Sequence, residues 1–110
     1  MPRSIHILLQ GLGIMAYFIR LVRFTPEGLK EMKQFKEKRA KFHAQTKELG
    51  ISVVAEFLTS GAYDLITILE APNHDSVMKL SAITGSAGRT IVQTLSAIKA
   101  DDWERIVESI

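Results

Sequence analysis

Two β-rich runs, residues 51–59 and 63–70, follow one another with only a short turn between them. Their β-branched and aromatic side chains favour strands, and the turn contains Gly61, which tolerates the positive φ that short hairpin loops need. We therefore predict an antiparallel hairpin in which Tyr63 opens the second strand and Asp64 faces the opposite side. Turn residues usually serve the turn itself, so a structural role for these three residues is the first interpretation.

A strand and a long helix are predicted before the hairpin. Residues 16–24 combine aromatic and β-branched side chains, as strands do. Thr25 is suited to cap a helix and Pro26 to occupy its first position. The helix is predicted to run to about Leu49 and to end at Gly50 as a left-handed cap. Its predicted core stripe consists of apolar residues at three- and seven-residue spacings: Leu29, Met32, Phe35, Phe42 and Leu49.

A second helix and a fourth strand are predicted after the hairpin. Asn73 is suited to cap the helix, and residues 89–98 have the composition of a strand. A short terminal helix is predicted from a capping box of Asp101 and Glu104, and it is expected to dock through Trp103. The order βαββαβ with a terminal helix predicts an α+β ferredoxin-like fold, because right-handed crossovers place both main helices on one face of the sheet.

Composition limits the function classes. The chain has 110 residues, of which 46% are apolar, enough for one domain with a substantial core. It has no cysteine, which excludes disulfides, thiolate metal sites and a cysteine nucleophile. The net charge is only +2, and glutamates interrupt the basic residues of the first helix, as on a solvated helix face. Because the central strands also lack the exposed aromatic pair of RNA readers, we expect no nucleic-acid partner.

The first residues do not fit the repeating pattern. The apolar run 5–9 is too short for a signal peptide or a membrane span. We expect residues 1–14 to be an N-terminal extension, either disordered or introduced by an upstream start codon, with a short extra strand as the alternative. The domain proper is expected to cover residues 15–110. We expect a cytoplasmic location and no membrane partner.

No motif specifies catalysis or metal binding. The segment 85–88 is glycine-rich but lacks the Lys-Ser/Thr of a phosphate-binding loop. The three histidines, His6, His43 and His74, have no spacing that would bring metal ligands together. We therefore expect no metal site, no cofactor and no catalytic residue.

One polar constellation can be built within the predicted sheet. Arg20 lies in a strand that is otherwise largely apolar on both faces, so it needs a partner or a path to water. Glu56, Asp64 and Glu70 share one parity of the hairpin, which would bring two of them near Arg20. A structural ion pair is the favoured interpretation over a catalytic set.

The chain resembles the GYD domain family in an ordered set of short motifs. These motifs are Gly61-Ala62-Tyr63-Asp64, Thr25-x-x-Gly28, Glu70-Ala71-Pro72 and Gly88-Arg89-Thr90. The resemblance runs from Met15 to the terminal helix, although Arg20 stands where the family more often has an apolar residue. It implies a ferredoxin-like fold of the dimeric α/β-barrel type and no established activity. The hairpin is also similar to that of the effector-binding domain of Lrp-type regulators, but no helix-turn-helix precedes it here.

The predicted strands are apolar on both faces, so a monomer would expose a contiguous apolar patch. We therefore expect a homodimer or higher oligomer formed through the sheet, with a ligand cavity between the sheets or beside the Gly61 hairpin. The favoured function is a non-catalytic small-ligand-binding or structural module, with Arg20, Gly61, Tyr63 and Asp64 as ligand-binding residues. The alternative is a cofactor-independent or haem-dependent enzyme of the dimeric α/β-barrel kind, which needs a His, Tyr or Asp in that cavity.

Overall fold

A four-stranded antiparallel sheet forms the centre of the computed structural model, which describes residues 16–110. The strand order is β2-β3-β1-β4, and every neighbouring pair is antiparallel. The strands are β1 (Ala16–Phe24), β2 (Ser52–Leu58), β3 (Leu65–Ala71) and β4 (Thr90–Ala97). This order confirms the predicted α+β ferredoxin-like fold. The expectation for residues 1–14 lies outside the described residues.

The helices follow the predicted order, with one difference in the first crossover. They are α1 (Pro26–Lys30), α2 (Phe35–Glu48), α3 (His74–Gly85) and α4 (Ala100–Glu108), and a 3₁₀ turn (Met32–Gln34) separates α1 from α2. The predicted single helix is therefore broken, at Glu31, whose φ of −99° and ψ of 17° are not helical. Because of this break, Leu29 leaves the predicted core stripe and is 57% exposed.

The break has a physical cause at the start of β4. Thr25 N–H donates to the carbonyl oxygen of Arg89 at 3.1 Å, and its hydroxyl donates to Gly88 O at 2.9 Å. Gly28 packs so closely on Arg89, the residue before β4, that a Cβ on Gly28 would collide with Arg89 O. These contacts hold α1 against β4, so the chain has to change direction before α2 can cross the sheet.

Most predicted caps and turns are confirmed. Thr25 Oγ1 accepts from Gly28 N at 3.1 Å, and Asn73 Oδ1 accepts from Ser76 N at 2.9 Å. Gly50 and Gly61 have φ values of 72° and 108°, the positive values expected of them. The capping box proposed for the terminal helix is wrong, since α4 begins at Ala100 after Lys99, which makes no side-chain cap.

Two further predictions are corrected by the structure. β3 begins at Leu65 rather than at Tyr63, because Tyr63 and Asp64 belong to the turn that closes the hairpin. The terminal helix docks through buried Ile106, which packs against Ala16 and Ile98, whereas Trp103 is half-exposed.

The two faces of the sheet are now distinguishable. Every second residue along the strands points to the helix face, and the buried ones include Phe18, Val22 and Leu69. This face packs on Val77 and Leu80 of α3. The opposite face, which we call the open face, carries the other parity. Its apolar residues are Ile19, Leu21, Phe57, Ile66, Ile68, Ile91 and Leu95. Both parities are therefore apolar, and the helices of residues 16–110 cover only one of them.

Candidate ligand-binding cavity

The helix face of the sheet has two ends that differ in side-chain chemistry. Phe18 of β1 pairs with Leu69 of β3, and both are fully buried in the main core cluster. Two residues further along, Arg20 pairs with Thr67. We call the region of Phe18, Leu69 and Ala71 the core end, and the region of Arg20, Val22, Leu65 and Thr67 the cavity end.

A cavity of about 300 Å³ lies at the cavity end, between the sheet and the helices. This volume is at the lower limit of pockets that bind small organic molecules. Apolar side chains form much of its wall: Val22, Phe24, Met32, Phe35, Phe42, Leu65 and Ile83. Arg20, Thr67 and Thr84 add polar groups to this lining.

The buried guanidinium of Arg20 is the most unusual group in this lining. Arg20 is only 4% exposed, its Nη2 donates to Thr84 Oγ1 at 3.2 Å, and its guanidinium carbon lies 4.9 Å from the Phe42 ring centroid. Burial lowers the pKa of Arg20 to about 10, and the negative charge of Glu56 opposes that change. Because this pKa is still far above neutrality, Arg20 carries its charge at pH 7.

Two buried polar atoms at the cavity end have no hydrogen-bond partner among the described residues. They are Arg20 Nε and Thr67 Oγ1, on cross-strand neighbours. An unsatisfied buried donor or acceptor costs roughly 1–3 kcal/mol, so native proteins contain few of them. Their occurrence side by side in a cavity marks this position as a candidate binding site.

Glu56, on edge strand β2, continues the polar row across the sheet. It pairs with Thr67 in the strand register, and its Oε1 accepts hydrogen bonds from Arg39 Nε and His43 Nε2, both at 2.7 Å. The carboxylate is thus held by α2, and its charge acts on Arg20 across the intervening strand. The structure therefore brings Glu56 near Arg20 but gives it two hydrogen-bond partners that the sequence did not indicate.

Charged side chains connect the segments around the cavity mouth. Arg89 Nε donates to Glu31 Oε1 at 2.8 Å, and Lys38 Nζ bonds the same oxygen. The hydrogen bonds donated by Arg89 and then by Lys38 lower the pKa of Glu31 to about 2, and the bond that Arg89 donates to Glu31 raises the pKa of Arg89. Glu31 is therefore ionised at neutral pH and ties α1, α2 and β4 together.

The four site residues predicted from the sequence do not converge. Arg20 lines the cavity, whereas Tyr63 lies toward the open face, where its hydroxyl is 2.7 Å from Gln93 Oε1. Asp64 Oδ2 accepts from Phe24 N at 2.9 Å and so fixes the hairpin to the end of β1. Gly61 is at the exposed tip of the turn, with no atom within 4 Å of an added Cβ.

Other residues at the cavity were missed as site residues. Thr67 and Thr84 contribute polar groups to its lining, and Phe42 stacks on the guanidinium. A threonine between apolar strand residues is common, so only the register that pairs Thr67 with Arg20 gives it significance. Glu70, the third carboxylate of the predicted constellation, pairs with Tyr17, three positions along from Thr67, so its parity puts it on the open face rather than beside Arg20.

The antiparallel βαββαβ arrangement with a cavity under its helices defines a ferredoxin-like α+β domain. The GYD domain family model matches residues 18–107, and the chain belongs to this family. No curated protein matches the sequence.

A solved structure shares the fold. It is the solution structure of the C-terminal domain of the MgtC protein from Mycobacterium tuberculosis, with a TM-score of 0.51 and 17% sequence identity. The match covers 80% of this chain and 93% of that one. At this identity the likeness concerns the fold alone.

None of the helices within residues 16–110 is long and apolar enough to cross a membrane. The same residues contain no group of three or more His, Asp or Glu side chains that could hold a metal ion.

Proposed function

We propose that this GYD-domain protein is a homodimeric, non-catalytic module that binds a small molecule in the cavity at the cavity end of each subunit. The observation that carries the proposal is the pair of unpaired buried polar atoms, Arg20 Nε and Thr67 Oγ1, on two cross-strand neighbours that line an otherwise largely apolar cavity. Small-molecule sites have this composition: apolar walls with a few polar groups that orient the ligand.

Binding is favoured over catalysis because of the side chains in the lining. The enzyme alternative needs a His, Tyr or Asp in a cavity between the sheets or beside the Gly61 hairpin. The cavity described above lies under the helices instead, and the described residues that line it include none of these three types. His43 is close, but its Nε2 is engaged by Glu56 at 2.7 Å. The absorbance spectrum of the purified protein gives a direct check, since a Soret band would favour the haem-dependent enzyme.

The open face supports the proposed dimer. Phe57 and Ile91 on its outer strands are 57% and 56% exposed, and the central strands between them are apolar as well. Soluble monomers rarely leave a contiguous apolar patch of more than a few hundred Å² in water. A second copy packed on the same face by a two-fold axis would cover both patches at once, and about 1,600 Å² of total buried area suffices for a stable dimer.

The dimer is tested by sedimentation at micromolar concentration. The wild-type protein is expected at twice the 12.3 kDa subunit mass. Leu21→Lys places a charge at the centre of the open face and should yield a folded monomer. Val107→Lys, on the exposed side of α4, is the matched control and should remain dimeric. A folded wild-type monomer would refute the dimer.

Ligand binding is tested by ligand-detected NMR with a mixed set of acidic, basic and neutral fragments. Thr67→Phe adds a phenyl ring to the cavity lining and should abolish the binding that the wild type shows. Met78→Phe, an equally bulky change at an exposed position of α3 that does not line the cavity, should retain it. Hits that survive Thr67→Phe would place the site elsewhere, and the absence of any hit would contradict the proposal.

A further inference from the structure

The unpaired polar atoms at the cavity end have a definite chemical character. Arg20 Nε is an obligate donor because a guanidinium has five N–H groups and no acceptor. The Thr67 hydroxyl beside it can also donate. The Thr84 hydroxyl does not satisfy Arg20 Nε. It donates its hydrogen to Leu80 O at 3.0 Å and accepts from Arg20 Nη2 instead. The site therefore offers donors and needs an acceptor from outside the described chain.

The charge around the cavity favours an anion. The basic side chains in its lining are Arg20, Lys38, Arg39, Lys41 and Arg89, and the acidic ones are Glu31 and Glu56. Both acids are already engaged, Glu31 by Arg89 and Lys38 and Glu56 by Arg39 and His43. A surplus of positive charge around a low-dielectric cavity attracts anions and disfavours cations.

The apolar wall restricts the size and the charge of the rest of the ligand. Phe24, Met32, Phe35 and Ile83 face a volume of about 300 Å³, which at about 30 Å³ per water-sized group holds roughly ten non-hydrogen atoms. A phosphate or another multiply charged anion would leave most of its charge against apolar side chains, at high cost. A single carboxylate on an aromatic or aliphatic body matches both the donors and the wall.

We propose that the cavity binds a small apolar carboxylic acid, whose carboxylate accepts hydrogen bonds from Arg20 Nε and the Thr67 hydroxyl while its hydrocarbon part packs on Phe42 and the neighbouring apolar wall. This inference rests on the proposed binding function and names its ligand class. Planar carboxylates match the guanidinium fork, and such charge-assisted bonds are stronger than neutral ones. Arg20 is then the specificity-determining residue of the site.

The test compares each acid with its own amide, which has nearly the same shape but no charge. Phenylacetate and phenylacetamide, and hexanoate and hexanamide, are titrated into the ¹⁵N-labelled full chain at pH 7. At least one acid is expected to bind ten-fold or more tightly than its amide and to shift the Arg20 Nε–Hε resonance saturably. The backbone amides of Thr67 and Thr84 should shift with the same dissociation constant.

Two variants separate a binding role of Arg20 from a structural one. Arg20→Met should lower acid affinity at least ten-fold, leave amide affinity unchanged and maintain or raise the melting temperature. Lys79→Met removes an exposed basic side chain of α3 that does not line the cavity, and it should change neither affinity. A large fall in the melting temperature of Arg20→Met would show that Arg20 is structural, and this would overturn the inference.

The outcomes also distinguish this inference from the proposed function. If the amides bind as tightly as the acids, or if the acids bind Arg20→Met with undiminished affinity, the proposed recognition of a carboxylate is wrong. The cavity would still be a binding site for small molecules. If neither acid binds but neutral or basic fragments bind in a manner sensitive to Thr67→Phe, the ligand class is wrong and the binding function stands. If nothing binds, both are overturned.

Discussion

The core end and the cavity end are built on the same two central strands, yet they are filled differently. At the core end, Phe18 and Leu69 are completely buried against Val77 and Leu80. At the next cross-strand pair on the same face, Arg20 and Thr67 line a cavity and leave polar atoms unpaired. The two ends share the strands but not the packing: the core end is filled by apolar side chains, whereas the cavity end leaves an unfilled volume of about 300 Å³.

The largest expected effect tests where the stability resides. Leu80 and Ile83 lie on the same helix, but Leu80 is 0% exposed in the core cluster and Ile83 is 44% exposed at the cavity. Leu80→Ala should lower the free energy of unfolding by about 2–5 kcal/mol, because it leaves a void in a packed core. Ile83→Ala, the matched control, should cost about 1 kcal/mol or less. Urea denaturation measures both, and equal losses would remove the distinction between the two ends.

The second prediction concerns the buried charge. Replacing a buried ionic group by an apolar one of similar size is often neutral or stabilising, provided that no partner charge is left unpaired. Glu56 keeps Arg39 and His43 when Arg20 is removed, so Arg20→Met should leave the free energy of unfolding unchanged or raise it by up to about 3 kcal/mol. Lys79→Met, at an exposed position of α3, should stay within about 0.5 kcal/mol of wild type. Chemical denaturation at pH 7 provides the comparison. A loss of stability in Arg20→Met would mean that its contacts with Thr84 and Phe42 outweigh its desolvation.

The third prediction compares two equally buried threonines. Thr67 Oγ1 is unpaired, whereas the Thr46 hydroxyl donates to His43 O at 2.8 Å. The near-isosteric change Thr67→Val should therefore leave the free energy of unfolding unchanged or raise it by up to about 1 kcal/mol. Thr46→Val should lower it by about 1 kcal/mol. If both variants lose the same amount in denaturant titrations, the Thr67 hydroxyl has a partner after all.

The fold could be predicted from the sequence because the caps and turns that delimit its elements depend on residues close together in the chain. Thr25, Asn73, Gly50 and Gly61 each act through their own backbone neighbourhood, and all four do what their residue types predict. The break at Glu31 could not be foreseen, because it depends on Gly28 meeting the backbone of Arg89, about sixty residues away along the chain. The exposure of Leu29 follows from that same distant contact.

The site was only partly predictable, for a related reason. Arg20 was conspicuous as a charged residue in an apolar strand, and it does lie at the cavity. Tyr63 and Asp64 were grouped with it because of the turn motif. In the structure the Tyr63 hydroxyl bonds Gln93 Oε1, and Asp64 Oδ2 accepts from Phe24 N, so neither reaches Arg20. The significance of Thr67 depends on cross-strand pairing, and that of Thr84 on how α3 is placed over β1.

The smallest expected effect concerns the cavity mouth and is visible only as a function of pH. The pKa of Glu31 is lowered to about 2 from its ordinary value of 4.5, chiefly by the hydrogen bond from Arg89. A depressed carboxyl pKa stabilises the folded state above the unfolded value, and this stabilisation is lost as the pH falls through the folded value. The melting temperature of the wild type should therefore approach that of Glu31→Gln between pH 4.5 and 2. Glu37→Gln, an exposed change on α2, serves as the control and should keep a constant offset from the wild type over that range. A wild-type profile parallel to that of Glu31→Gln would mean that the bonds to Arg89 and Lys38 do not persist in solution. The mouth would then be joined only by the backbone contacts of Thr25 and Gly28 with the start of β4, and the cavity end would be more open than its hydrogen bonds indicate.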